Sequence, residues 1–63
     1  MKYQIKNYIT GAVRTFYKLI DVHYYVYELT DDFYTAESVI QWIQNPGDSF
    51  IYEHPDFELI LCD

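Results

Sequence analysis

With 63 residues, a single cysteine and ten acidic against four basic side chains, the chain holds one domain, 1–63, and no internal disulfide. Hydrophobic residues make up 51% and aromatics 21%, which excludes a disordered tail, and no apolar run approaches the length of a membrane span. A domain this small buries only about 60% of the surface its unfolded chain exposes, so its stability is expected to be marginal and a partner subunit is a natural supplement.

The charges are segregated. Lys2, Lys6, Arg14 and Lys18 all precede position 19, and all ten acids lie between Asp21 and Asp63, so the first twenty residues carry +4 and the rest −10. Either basic and acidic strands lie side by side and neutralise each other, or the molecule offers an acidic surface to a basic partner.

At the N-terminus "KYQIKNYI" alternates, with Tyr3, Ile5, Asn7 and Ile9 on one face and Lys2, Gln4 and Lys6 on the other. That is the period of a half-buried strand. "TGA" interrupts it and "VRTFYKLI" resumes it, which predicts a hairpin reversing at Gly11. Pairing Ile9 with Val13 puts the apolar faces together and the four cations on the opposite face.

The middle of the chain admits two periods. Ile9, Val13, Phe16, Tyr17, Ile20, Tyr24 and Tyr27 fall near one helical stripe, whereas the dominance of Val, Ile, Thr, Tyr and Phe over 13–29 favours a strand. Residue type favours the strand, with Asp21 marking a turn or a bulge. In "VHYYVY" Val22, Tyr24 and Val26 then face the core. His23, Tyr25 and Tyr27 point to an uncovered sheet face, where solvated hydroxyls let the rings serve as a contact platform.

A helix is expected over about 35–45, with Thr35 as N-cap and Glu37 in the first turn. Ala36, Val39, Ile40 and Ile43 form its buried face, and Asn45-Pro46-Gly47 stops it. A second hairpin follows, turning at His54-Pro55-Asp56, with Phe57, Leu59 and Leu61 alternating against Glu58, Ile60 and Cys62. The expected fold is α+β: a small, mostly antiparallel sheet made from an N-terminal strand meander and a C-terminal hairpin, with one helix packed on one face.

No motif for catalysis emerges. Cys62 is penultimate, His54 precedes a proline, and Glu53 and Asp56 read as solvated turn acids. Asp31-Asp32 lack calcium-loop spacing, Cys62, His23 and His54 lack zinc-ligand spacing, and there is no glycine-rich phosphate loop. Neither enzymatic activity nor a metal or cofactor is expected. Direct nucleic-acid binding would rest on Lys2, Lys6, Arg14 and Lys18 with Tyr8 and Phe16 between them, and the net charge of −6 opposes it.

The opposite polarity fits better. Acids at alternate strand positions such as Asp56 and Glu58 would lie about 6.6 Å apart, comparable with neighbouring phosphates. Asp31, Asp32, Asp48, Glu53 and Asp63 would extend the row. In composition, not in any motif, the chain resembles the small acidic inhibitors encoded by phages and other mobile elements. The expectation is therefore a cytoplasmic, non-catalytic protein-interaction module that binds another protein or itself, with a homodimer expected. In its sharper form it is an inhibitor that mimics nucleic-acid charge, and its partner is a basic nucleic-acid-binding protein. Its contact set would be His23, Tyr25, Tyr27, Asp31, Asp32, Glu53, Asp56 and Glu58. A homodimer built on the tyrosines is the alternative, and a weak single-stranded nucleic-acid binder is the third.

Overall fold

Two β-hairpins enclose a helical hairpin. A computed structural model describes residues 1–62. Its elements are β1 (Lys2–Asn7), β2 (Val13–Phe16), α1 (Leu19–Thr30), α2 (Phe33–Gln44), β3 (Ile51–His54) and β4 (Phe57–Cys62). The strands form one antiparallel sheet in the order β2-β1-β4-β3, so the chain's first and last strands lie side by side at its centre. The α+β class and the antiparallel sheet stand as expected. No described helix is long and apolar enough to cross a membrane.

Alternation in the two central strands creates the core. Tyr3 and Ile5 of β1 lie on the same face as Phe57 and Leu59 of β4, with Ile5 directly opposite Leu59. Val22 and Val26 of α1 and Ala36, Val39 and Ile43 of α2 close over them, and all nine side chains are buried in one cluster. No polar side chain is buried with them among the described residues.

The expected strand through "VHYYVY" is instead helix α1, and the fold has two helices where one was expected. Val22 and Val26, four residues apart, are fully buried, and Leu19 and Leu29 flank them on the same side. Both periods would bury the valines, but a strand would also force Tyr24 into the core between them. The helix turns Tyr24 outward. Keeping the Tyr24 ring out of a core of nine side chains is the difference between the two, and the helix-propensity deficit it must offset is at most about 0.7 kcal/mol for Val or Tyr. Packing outweighs propensity here.

The corner between the helices uses the two adjacent aspartates. Asp31 takes a left-handed conformation (φ 52°, ψ 34°) and its N–H donates to Tyr27 O at 2.7 Å, closing α1. Asp32 is extended and caps α2: its Oδ1 accepts from Tyr34 N at 3.0 Å and Thr35 N at 3.4 Å. Thr35, the expected cap, instead lies inside the helix and its hydroxyl donates to Asp32 Oδ2 at 3.0 Å. A carboxylate is the stronger acceptor for the helix's free amides and also complements its dipole. The helix ends at Gln44, with Asn45 as the closing residue, close to the stop expected from Asn45-Pro46-Gly47.

The first hairpin has a different register. Asn7 Oδ1 accepts from Ile9 N at 2.9 Å and Thr10 N at 3.3 Å, turning the chain earlier than Gly11. Gly11 (φ 78°) then supplies the left-handed residue that closes the loop, and Asn7 N–H donates to Ala12 O at 2.8 Å. Ile5 consequently faces Arg14 and Tyr3 faces Phe16. The four cations do not share a face: Arg14 projects on the helix side with Phe16, Lys2 and Lys6 lie on the open face, and Lys18 precedes α1 as its N-cap residue. Ile9, Val13 and Tyr17, expected in the core, are exposed. Asp21 marks no turn or bulge but the first turn of α1. The second hairpin is as expected, with His54 opposite Phe57 across Pro55-Asp56.

The corner makes a direct prediction. Asp32→Ala should lower unfolding free energy by about 1 kcal/mol, the usual worth of a cap. Asp31→Gly should leave stability equal or higher, because glycine adopts positive φ without the roughly 1 kcal/mol penalty of an L side chain. Urea denaturation of both variants checks this, and a larger loss in Asp31→Gly than in Asp32→Ala would refute the assignment.

Candidate functional site

Helix α1 advances 100° per residue and so disperses the tyrosine run that a strand would have aligned. His23 and Tyr27, four apart, share the side facing α2, while Tyr25 points toward β2 and Tyr24 outward. Tyr25 is half-buried, its ring 5.1 Å from Phe16 and beneath the Arg14 guanidinium at 5.4 Å. The expected platform of His23, Tyr25 and Tyr27 on a sheet face is therefore corrected. All three sit on a helix, and only His23 and Tyr27 remain together.

Those two meet residues that no sequence motif marks. Phe33, the first residue of α2, packs edge-on against His23 (5.3 Å) and Tyr27 (6.2 Å), with Tyr34 beyond it at 6.5 Å. His23 Nε2 lies 3.4 Å from Glu37 Oε2, the one ion-pair contact among the described residues. Beside it is a hollow of about 230 Å³ lined by Leu19, Ile20, His23, Glu37 and Ile40. Ile20 is 74% exposed, Tyr24 64%, Phe33 51% and Tyr34 82%. Apolar side chains thus form a continuous exposed band across the outside of the helical hairpin. A signal for it was present: Ile20, Tyr24 and Tyr27 belonged to the competing helical stripe, which is real but faces solvent.

Acids predominate around this band. Residues 19–44 contain Asp21, Glu28, Asp31, Asp32 and Glu37 and no lysine or arginine. No carboxylate among the described residues lies within ion-pair distance of a Lys or Arg, so the negative charge is not cancelled locally. Of these acids, Asp31 and Asp32 have corner duties and Glu37 contacts His23, while Asp21 and Glu28 face a groove toward β2. Tyr24 has its pKa raised above the usual 10, chiefly by the Glu28 carboxylate beside it.

A second acidic group occupies the other side of the sheet. Glu53 and Glu58 are direct cross-strand partners, with Lys6 next to Glu58 on β1. The expected row through Asp56 and Glu58 does not form, because β4 starts at Phe57. Asp56 belongs to the turn, where its N–H donates to His54 Nδ1 at 3.0 Å. Asp63 lies outside the described residues. The Tyr8 pKa is raised from 10, first by partial desolvation and then by the neighbouring Glu58 and Glu53 carboxylates. His54 stacks on Phe57 at 4.7 Å, a packing role. Cys62 is half-buried, its Sγ 3.9 Å from Ile60 O. Among the described residues no three His, Cys, Asp or Glu converge as metal ligands.

Of the eight residues expected in the site, the structure brings together His23 and Tyr27 on one surface, and Glu53 and Glu58 on another. Tyr25 packs between α1 and β2, and Asp31, Asp32 and Asp56 shape turns. No family model, curated protein or solved structure matches the chain.

Two measurements test this charge geometry. Like charges directly across strands destabilise a sheet, so Glu53→Lys should raise stability by about 0.2–1 kcal/mol in urea denaturation. For Tyr8 the sign follows from its raised pKa. The folded state disfavours the phenolate, so stability holds below pH 10 and falls as the pH climbs through the folded-state pKa. Tyr8→Phe should lose less stability than the parent between pH 9 and about pH 11. An identical alkaline loss in both proteins would show that Tyr8 is not coupled to the two glutamates.

Proposed function

We propose that the protein is a non-catalytic interaction module that binds a basic protein through the outer face of its helical hairpin. The observation that carries this reading is the pairing of an exposed band, Ile20, Tyr24, Tyr27 and Phe33, with a helical layer bearing five acids and no cation. Aromatic anchors supply desolvated contact area and slow dissociation, whereas surrounding like charges set partner polarity and accelerate encounter. The same charges oppose self-association through this face, since each copy would bring a net acidic helical layer toward the other. A basic partner resolves that repulsion. In its sharper form the reading is an inhibitor acting in the cytoplasm, whose carboxylates occupy a groove built for nucleic-acid phosphates.

The test compares the native protein with Ile20→Ser/Phe33→Ser as immobilised bait. A partner retained by the first and lost by the second is expected to be basic. Its association rate should fall at least tenfold between about 0.05 and 0.5 M salt, as screening shortens the reach of the opposed charges. Asp21→Asn/Glu37→Gln should slow association more than it speeds dissociation, and Phe33→Ser should do the reverse. Nucleic acid bound by the partner should compete. An acidic partner, or binding indifferent to salt, would overturn the reading. A stable dimer in light scattering that Phe33→Ser dissociates would replace it with self-association.

A further inference from the structure

The two edges of the sheet are not alike. Along β2 the backbone groups that face outward follow from one bond. Asn7 N–H donates to Ala12 O, and the ladder continues with Ile5 opposite Arg14 and Tyr3 opposite Phe16. Hydrogen-bonded and non-bonded pairs alternate in an antiparallel ladder, so Arg14 and Phe16 bond inward to β1. The amide and carbonyl groups of Val13 and Thr15 therefore point off the sheet. On the far edge Ile51 and Glu53 do the same, but there the edge strand bears a carboxylate and Pro55 follows directly. Trp42 of α2 packs on Tyr52 at 5.5 Å, filling the angle between helix and edge.

At β2 that angle is open. A groove of about 640 Å³ lies between β2 and α1, with Phe16 and Tyr25 among its apolar walls and Thr15 on its strand side. Helix α1 contributes Asp21 and Glu28 to the rim. The Arg14 guanidinium lies over the rings of Phe16 (5.8 Å) and Tyr25 (5.4 Å) and within ion-pair distance of neither acid. The lining carries two acids against one base, beside a strand with unpaired backbone.

We propose that this edge takes up an extended, basic peptide by strand addition, at a surface that adjoins the helical face invoked above and shares Asp21, Tyr24 and Glu28 with it but not Ile20 or Phe33. The peptide backbone pairs with Val13 and Thr15. Its side chains at alternate positions enter the groove, where a lysine or arginine meets Asp21 and Glu28. β2 offers only two such outward positions, so backbone pairing alone is weak and the groove supplies charge selection. A second copy is the poorer occupant. Joining two antiparallel β2 strands through the outward groups of Val13 and Thr15 sets Arg14 against its own copy, and joining β2 to β3 is head-to-tail and extends without end unless its rotation closes a ring.

The probe is an acetylated, amidated hexapeptide, Lys-Val-Lys-Val-Lys-Val, added to isotope-labelled protein and followed by amide hydrogen exchange and fluorescence anisotropy. At saturation the Val13 and Thr15 amides should exchange at least about tenfold more slowly, with Ile51 and Glu53 unchanged. The same peptide with Glu for Lys, and a version N-methylated at alternate amides, should each bind at least about tenfold more weakly. Thr15→Pro removes an outward N–H and no ladder bond, and should weaken binding comparably. Because that variant alters the fold's edge, the N-methylated peptide provides the same test on unaltered protein. Ile20→Ser/Phe33→Ser should leave peptide affinity within about twofold, so loss of the helical reading and loss of this one are distinguishable. No binding at millimolar peptide, equal affinity for the acidic or N-methylated peptide, or saturation without protection of Val13 and Thr15 would overturn the proposal. So would protection in the free protein accompanied by scattering that grows with concentration, which would identify the occupant as another copy.

Discussion

Pairing of the first strand with the last is the interaction on which the rest of this structure depends. The Ile5–Leu59 contact joins residues from opposite ends of the chain, and around it β1 and β4 place their four buried side chains on one face. A one-residue slip would turn Lys6 and Glu58 inward and Ile5 and Leu59 out, so the apolar pattern defines the register sharply. Once the ends are paired, both hairpins must extend outward from the centre. β2 and β3 become the edges, and the 26 residues between Leu19 and Gln44 must cross the same face twice. The helical hairpin meets that requirement with a two-residue corner. The contact is also long-range in sequence, so the entropy of closing the whole chain opposes it until the core forms.

The core is small and the aromatic content is not. Nine side chains are buried, of which only Tyr3 and Phe57 are aromatic, whereas the chain has thirteen Phe, Trp and Tyr residues. The remainder must lie at the periphery. Some close the sides of the sandwich, as Tyr25 does under Arg14 and Trp42 does on Tyr52. Others have nothing to cover them, and they gather where the helices face solvent. Tyrosine tolerates this because its hydroxyl stays hydrated, but Ile20 and Phe33 lack that compensation. Their exposure beside Tyr27 and His23 forms an apolar patch and not a scatter of isolated residues.

Parts of this arrangement were legible in the sequence, and the reasons for the failures are physical. The alternation of Tyr3 and Ile5, the Ala36-Val39-Ile43 stripe and the Pro55 turn each carry one period with no competitor, and each yields the expected element. The segment 19–30 carries two. Its Val22–Val26 spacing suits a helix and its valine–tyrosine alternation suits a strand, and residue propensity favours the wrong one because packing, absent from any local window, makes the choice. Misassigning that element carries the site with it, since His23, Tyr25 and Tyr27 share a face only in a strand. The hairpin register failed for a smaller reason. Gly11 marks the left-handed end of its loop, not the centre, and the Asn7 side chain turns the chain four residues earlier. Asp31-Asp32 read as a charged pair, but one closes a helix and the other opens the next.

Charge segregation along the chain acquires a different meaning once folded. β1 and β4 bring the basic and acidic ends together, yet their contact is made mainly through apolar faces, and Lys6 beside Glu58 is the main point where the two signs adjoin. The helical segment, inserted between the ends, carries its five acids to the opposite layer and contributes no cation of its own, Arg14 of β2 projecting toward it from the sheet edge. The acids are therefore distributed unevenly: five belong to the helical layer, which has no lysine or arginine of its own, whereas on the open sheet face Lys2 and Lys6 adjoin Glu53 and Glu58. Such an arrangement contributes little to stability, because exposed charges interact weakly across a hydrated surface. What it does supply is orientation. A basic body approaching at physiological ionic strength feels the helical layer as attractive within about 8 Å. Encounter is thus biased toward the face where Ile20, Phe33 and the tyrosines are exposed.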